Sequence, residues 1–158
     1  LRRDDVSPAF TLRPVGEADF EPLLDLSIRV LRADLERVGR FDPDRRRARM
    51  RAGFDPATLS AIVSDARLAG CIAAAPANDH VEIHSFYLYP AVQGRGLGAA
   101  VLAAVLARHA SLPIRIEVLK GAAVHRFWEK QGFQRTGEQE FDWLYERPAS
   151  LGAPSPWA

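Results

Sequence analysis

The stretch from Val81 to Ala110 constrains the fold more than any other part of the chain. Its first part, Val81-Glu-Ile-His-Ser-Phe-Tyr-Leu-Tyr-Pro90, is rich in branched and aromatic residues at period two, which predicts a strand. Gln93-Gly-Arg-Gly-Leu-Gly98 follows with three glycines in five positions, and an alanine- and leucine-rich run with helical spacing continues to Ala110. A strand that feeds a helix through such a turn leaves backbone N–H groups at the positive end of the helix dipole. Glycines without Cβ atoms let an anion such as a phosphate come close to that main chain.

The rest of the chain supplies a mixed sheet around this unit. Phe10-Thr-Leu-Arg-Pro14 predicts a first edge strand, and Phe20, Leu23, Leu24, Ile28 and Leu31 recur at the spacing of an amphipathic helix. Phe41-Asp-Pro43 predicts a second helix start, followed by Arg45, Arg46, Arg47, Arg49 and Arg51. This run reads as a solvated face or as the border of a pocket for an acidic or carboxylate-bearing ligand. Leu59–Val63 and Leu68–Ala75 form a hairpin about Ser64–Arg67, and with the strand at Val81 they make an antiparallel meander. The helix after the glycine turn and the strand Pro113–Val118 complete a βαβ unit, whose crossover makes its two strands parallel. A short helix from Ala122 to Gln131, ended by Gly132, and two strands at Phe133–Thr136 and Phe141–Tyr145 close the chain. The expected organisation is one domain over residues 8–147 between flexible tails, 1–7 and 148–158.

Composition narrows the function classes. With 158 residues and 47% hydrophobic content the chain can bury a core, and 21 basic against 20 acidic residues leave a net charge of +1. There is no global field to draw in nucleic acid or an anionic membrane, and neither is expected as a partner. Cys71 is the one cysteine and reads as a buried strand thiol, which rules out an intrachain disulfide framework and fits a reducing compartment. Four scattered histidines without paired spacing make no metal site. No apolar run approaches bilayer length and no secretory leader pattern opens the sequence, so the chain reads as cytoplasmic. The glycine turn lacks the Gly-Lys-Ser/Thr ending that a nucleotide triphosphate and magnesium require.

The order of these motifs resembles the GNAT family of N-acetyltransferases. Gln93-Gly-Arg-Gly-Leu-Gly98 matches the family's Gln/Arg-x-x-Gly-x-Gly/Ala signature. It sits between a strand ending Phe-Tyr-Leu-Tyr-Pro90 and a later strand carrying Glu117-Val118, with a closing helix and Gly132-Phe133 beyond. The resemblance spans residues 10 to 147 and implies a mixed sheet of about seven strands, splayed between the fourth and fifth, with acetyl-CoA as co-substrate in the opening. It implies that Gln93, Gly94, Arg95, Gly96, Leu97, Gly98 and Ala99 hold the pyrophosphate, and that Phe86, Tyr87 and Leu88 offer strand-edge backbone to the pantetheine amides.

Acetyl transfer needs an amine made neutral, so a general base, direct or through water, is useful. Glu82, eleven positions before Gln93, matches the base of histone-acetylating members, and Glu117 matches the glutamate of ribosomal-protein-acetylating members. His84, two residues from Glu82 and on its face by alternation with Phe86 and Leu88, is a third candidate. Many members carry Asn near the start of the closing helix and Tyr where this chain has Trp128; here the first position is Ala122. An indole N–H donates a hydrogen bond but gives up no proton at physiological pH, so Trp128 is expected to hydrogen-bond or pack against the thiol. His125 is a candidate acid in its place. Phe141, Trp143 and Tyr145 read as core, acceptor pocket or homodimer contact. The acceptor class is a small-molecule or peptide amine, and the alternative from another class is a CoA-binding module without catalysis.

Overall fold

The computed structural model describes residues 8–150; of the tails expected at 1–7 and 148–158, all but 148–150 lie outside the described residues. The elements run β1 (Thr11–Pro14), α1 (Phe20–Arg37), α2 (Pro43–Ala52), β2 (Leu59–Ser64), β3 (Arg67–Pro76), β4 (Val81–Leu88), α3 (Leu97–Arg108), β5 (Ile114–Leu119), α4 (His125–Lys130), β6 (Gln134–Glu138) and β7 (Asp142–Arg147). The strands form one mixed sheet in the order β1-β2-β3-β4-β5-β7-β6. β4 and β5 run parallel, as the βαβ reading required, and pair over the first two residues of each, Val81↔Ile114 and Glu82↔Arg115.

The chain divides into two compact units. One comprises residues up to Ala73 together with Ser85–Ala103. Its core joins Phe20, Leu23, Leu24 and Leu26 of α1 and Met50 of α2 to Leu59, Ala61, Cys71 and Ala73 of the sheet. The entry to α1 is fixed by Asp19, which accepts the Gly16 N–H at 2.8 Å and both Arg13 guanidinium nitrogens at 2.7 and 2.9 Å. At the start of α2 the Asp42 carboxylate accepts from the N–H groups of Asp44 and Arg45, with Pro43 in the first turn, so the sequence signal there is an N-cap. Asp65 and Ala66 both have positive φ, 51° and 60°, the backbone that a two-residue hairpin needs between β2 and β3.

The other unit comprises Ala74–His84 and residues from Ala104 on. Its core holds Ile114, Ile116 and Val118 of β5, Tyr145 of β7, and Trp128 and Phe133 around the end of α4. β5 alternates strictly, with Arg115 and Glu117 on the exposed face. The closing helix is shorter than the sequence suggests. Residues 122–124 form a turn whose bonds run to the third residue back, and the helix proper begins at His125. Its end follows the glycine signal: Gly132 has φ +91°, its N–H donates to the Glu129 carbonyl, and the Phe133 N–H reaches back to the Trp128 carbonyl. This double bond pattern is a Schellman cap, and its hydrophobic contact is Phe133 against Trp128, with ring centroids 5.2 Å apart.

Candidate functional site

The glycine turn presents main chain. After β4 a single 3-10 turn, Pro90–Val92, redirects the chain. Gln93 then ties the turn to the strand by donating its side-chain amide to the Leu88 carbonyl at 2.8 Å. Gly94 and Gly96 have φ of +78° and +80°, left-handed values that favour glycine, and a Cβ added at either would meet nothing within 4 Å. The space over the turn is therefore open. α3 begins at Leu97, which is buried and anchors the helix, and its first internal bond runs from the Ala100 N–H to the Gly96 carbonyl. Helix geometry leaves the N–H groups of Leu97, Gly98 and Ala99 without intrahelical acceptors. Arg95 is exposed between the two left-handed glycines.

β4 leads into this turn along one edge of its backbone. The Tyr89 N–H donates to the Ala69 carbonyl of β3 at 2.9 Å, and a Cβ on Gly70 would come within 2.0 Å of the Tyr87 carbonyl oxygen. Gly70 is thus required by close approach of β4. N–H and C=O groups alternate between the two edges of a strand, so Tyr87 faces β3 while Phe86 and Leu88 turn their backbone to the opposite edge. The Tyr87 side chain packs on the core of its unit, and burial pushes its phenol above the usual value. Ser85 has φ +50°, left-handed backbone in mid-strand of the kind a bulge residue adopts. The alternation expected to put Glu82, His84, Phe86 and Leu88 on one face is interrupted there. Cys71 donates its thiol to the Ser85 carbonyl at 3.1 Å, and burial pushes it up to about 12. It is the inert strand thiol that the sequence suggested.

In the second unit a pocket of about 390 Å³ opens over the exposed face of β5 and β7 beside the start of β4. Glu82 and Glu117, the two carboxylates singled out in the sequence, both line it, with His80, Arg115, Ile116, Thr136, Leu144, Tyr145 and Glu146 around them. His80, in the sequence one of four scattered histidines, stands between two carboxylates. Its Nδ1 is 2.7 Å from Asp79 Oδ1 and its Nε2 is 3.1 Å from Glu82 Oε2. The Ala77 N–H closes the turn onto the His80 carbonyl at 2.8 Å and fixes where the ring stands. The signal was in the sequence: positions i and i+2 at the start of a strand share a face, and His80-x-Glu82 has that spacing. Arg115 pairs with its cross-strand partner Glu146 at 2.9 Å. His84 lies further along β4; burial pushes its imidazole below the usual value against the opposing effect of Glu82. It is therefore a neutral ring at physiological pH.

The remaining candidates have structural surroundings. Trp128 is 7% exposed and packs edge-to-face on Phe127 and Phe133. His125 is held on the surface by Glu129, 3.2 Å from Nδ1, and Glu129 also accepts the Tyr145 hydroxyl. Trp143 lies under Lys120 and Arg135, whose charged groups stand 4.7 and 3.8 Å from the ring centroid. In the arginine run, Arg47 and Arg51 make two-pronged pairs with Glu21 and Glu17, the solvated-face reading. Arg46 instead is half-buried, and its Nε is buried with no hydrogen-bond partner among the described residues. Among those residues no group of histidine, cysteine and carboxylate side chains could hold a metal ion, and no helix is long and apolar enough to cross a membrane.

Comparison with known proteins places this geometry. The fold is similar to that of the paia N-acetyltransferase of Thermoplasma acidophilum in complex with coenzyme A, with a TM-score of 0.68 at 16% identity over 89% of this chain and 99% of that one. It is similar also to an N-acetyltransferase of Staphylococcus aureus, with a TM-score of 0.67 at 14% identity over 86% and 98%. N-acetylglutamate synthase of Neisseria gonorrhoeae, complexed with coenzyme A and N-acetyl-glutamate, gives a TM-score of 0.67 at 18% identity over 91% of this chain and 36% of that one. No curated protein sequence matches the chain. At these identities the likenesses carry the fold alone. The sequence itself matches the family model for the acetyltransferase (GNAT) family over residues 26–133, more than half its length, and the chain therefore belongs to that family of acyl-transferring enzymes.

Proposed function

We propose that this protein transfers an acetyl group from acetyl-CoA to a primary amine, by direct attack of the amine on the thioester in a ternary complex, within a single catalytic domain over residues 8–147. The observation that carries the reading is the turn at Gly94 and Gly96, left-handed and open, set at the N-terminus of α3. Two backbone glycines and the orphan N–H groups of Leu97, Gly98 and Ala99 suit the two charges of a pyrophosphate. Gln93 serves by holding the turn to β4, and Arg95 is available to a phosphate oxygen. The edge of β4 that carries the Phe86 and Leu88 backbone suits the amides of a pantetheine arm, while Tyr87 supports that edge from the core.

On the acceptor side, Glu82 takes the proton as the amine attacks. The new C–N bond forms at the acetyl carbonyl, the C–S bond breaks, and the thiol leaves as thiolate. A thiol with a pKa near about 8.5 needs no strong acid to leave, so a tyrosine is dispensable and Trp128 contributes by packing. Glu117 in the same pocket and the neutral His84 are the alternative bases. The pocket carries three glutamates against one arginine and one histidine, which favours a cationic amine. The test is thiol release from acetyl-CoA against a panel of amines, with coenzyme A affinity measured by calorimetry. Glu82→Gln is expected to lower turnover about a hundredfold near neutral pH and to leave that affinity unchanged. An unchanged rate would move the role to Glu117 or His84. Tight binding of acetyl-CoA with no turnover on any amine would favour the non-catalytic CoA-binding module.

A further inference from the structure

We propose that Asp79, His80 and Glu82 form a proton relay that carries the acceptor's proton from the pocket to solvent, with His80 as its positioning and transfer residue; this rests on the reading of Glu82 as the base. The three groups stand in line at 2.7 and 3.1 Å, one imidazole between two carboxylates. Their exposure is graded: the His80 side chain is 18% exposed, Glu82 35% and Asp79 75%. The relay thus starts at the pocket wall, passes through a largely buried ring and ends in water.

The gradient of exposure gives the direction. Both neighbours are acceptors; with the one proton of the neutral imidazole on Nδ1, the side of the shorter contact, the ring donates to Asp79 and turns its Nε2 lone pair to the Glu82 carboxylate. Two acceptors at 3.1 Å make a favourable contact only when one proton lies between them. The pair is therefore a site with room for a single added proton, and the attacking amine has one to lose. The amine nitrogen loses a proton to Glu82, Glu82 passes it to His80 Nε2, and the imidazolium releases its Nδ1 proton to Asp79 and then to water. Glu82 is restored as a carboxylate, and the ring, left with its proton on Nε2, takes one proton from solvent at Nδ1 and gives one up at Nε2 to return to the starting tautomer before the next turnover. Arg115 of β5 approaches the same ring, its Nη1 3.4 Å from Nδ1, while its charge is held by Glu146 of β7. A cation on the exit side disfavours a lasting imidazolium and drives the proton outward. Glu117 is the other titratable group on β5 lining the pocket.

The experiment has two arms. 15N NMR of the His80 imidazole, which needs no acceptor, is expected to show a hydrogen bond at each ring nitrogen. Glu82→Gln is expected to move the 15N shift of Nε2 and Asp79→Asn that of Nδ1, as loss of a hydrogen bond at each nitrogen would. Thiol release from acetyl-CoA with n-butylamine, benzylamine and glycinamide forms the second arm. His80→Ala is expected to lower kcat about tenfold with coenzyme A affinity unchanged, to move the acid limb of the pH profile, and to be partly rescued by added imidazole. A His80 ring whose Nε2 shift does not respond to Glu82→Gln overturns the relay whether or not any amine is acetylated. So does a His80→Ala enzyme within about twofold of the parent, or one whose loss neither shifts the pH limb nor responds to imidazole. A parent protein that releases thiol with none of the three amines overturns the acetyl-transfer reading itself, and the relay's catalytic role falls with it.

Discussion

The turn at Gln93–Gly98 and the pocket over β5 and β7 are made of different parts of the same chain. The turn presents main chain: two left-handed glycines, the start of a twelve-residue helix, and one side chain, Gln93, that bonds backward to Leu88. The pocket presents side chains, His80, Glu82, Arg115, Glu117 and Glu146 among them, on strands whose backbone is occupied in pairing. A main-chain site tolerates changes of charge and fails when a Cβ is added. A side-chain site tolerates small backbone adjustments and fails when a proton or a partner is moved.

That contrast can be broken at several points. The largest effect is expected at Gly70, where alanine would place its Cβ 2.0 Å from the Tyr87 carbonyl oxygen, against backbone that cannot step aside. Gly70→Ala should cost about 3 kcal/mol or more in urea unfolding. An unchanged midpoint would mean that β4 can yield and that its edge is not set by close approach. Next is the turn itself: Gly96→Ala, at φ +80° with open space around it, carries a strain of about 1–2 kcal/mol and should weaken coenzyme A binding by about tenfold in calorimetry. Arg95→Ala in the same turn should change that affinity by less than about threefold. A larger loss at Arg95 than at Gly96 would reverse the contrast and make the cradle a side-chain site.

Smaller effects should follow the protons. Folding holds His84 below its ordinary value of 6.5, so between that value and its lower folded value the unfolded chain binds more protons than the native one. Stability is therefore full above pH 6.5 and falls as the pH drops through that window. Thermal unfolding across that range should show the slope, and His84→Gln should flatten it. A slope of the opposite sign would mean that the ring is stabilised as a cation. Smallest is the expected effect at Cys71, whose thiol burial pushes up to about 12: it should resist iodoacetamide in the native protein and react once urea unfolds it. Rapid alkylation of the folded protein would show that β3 opens there.

Much of the architecture was legible because it is local. The Asp42-Pro43 cap, the hairpin about Asp65 and Ala66, and the Gly132 stop each depend on a few adjacent residues whose backbone preferences are strong. The length of α4 was misread because Ala122 is a good helix former. The turn at 122–124 ties its chain instead to the end of β5, where the Ala122 N–H bonds the Leu119 carbonyl. The bulge-like Ser85 had no signal, since serine carries none of the freedom that marks a glycine at positive φ. His80 was missed for the opposite reason. Its spacing to Glu82 was visible, but a histidine after Asp79 at a strand start reads as surface until the ring is seen between two carboxylates.

The sequence alone determined the glycine turn, because glycine at Gly94 and Gly96 and a helix start at Leu97 specify backbone geometry without reference to distant residues. It also determined that β4 and β5 run parallel, because a helical crossover joins them. Only the tertiary structure decided the rest: that Glu82 and Glu117 line one pocket, that Arg115 answers Glu146, that Trp128 caps a helix end against Phe133, and that Arg46 alone of its run turns a buried Nε inward. Each of those depends on strand register or helix packing, where a shift of one residue sends a side chain to the other face.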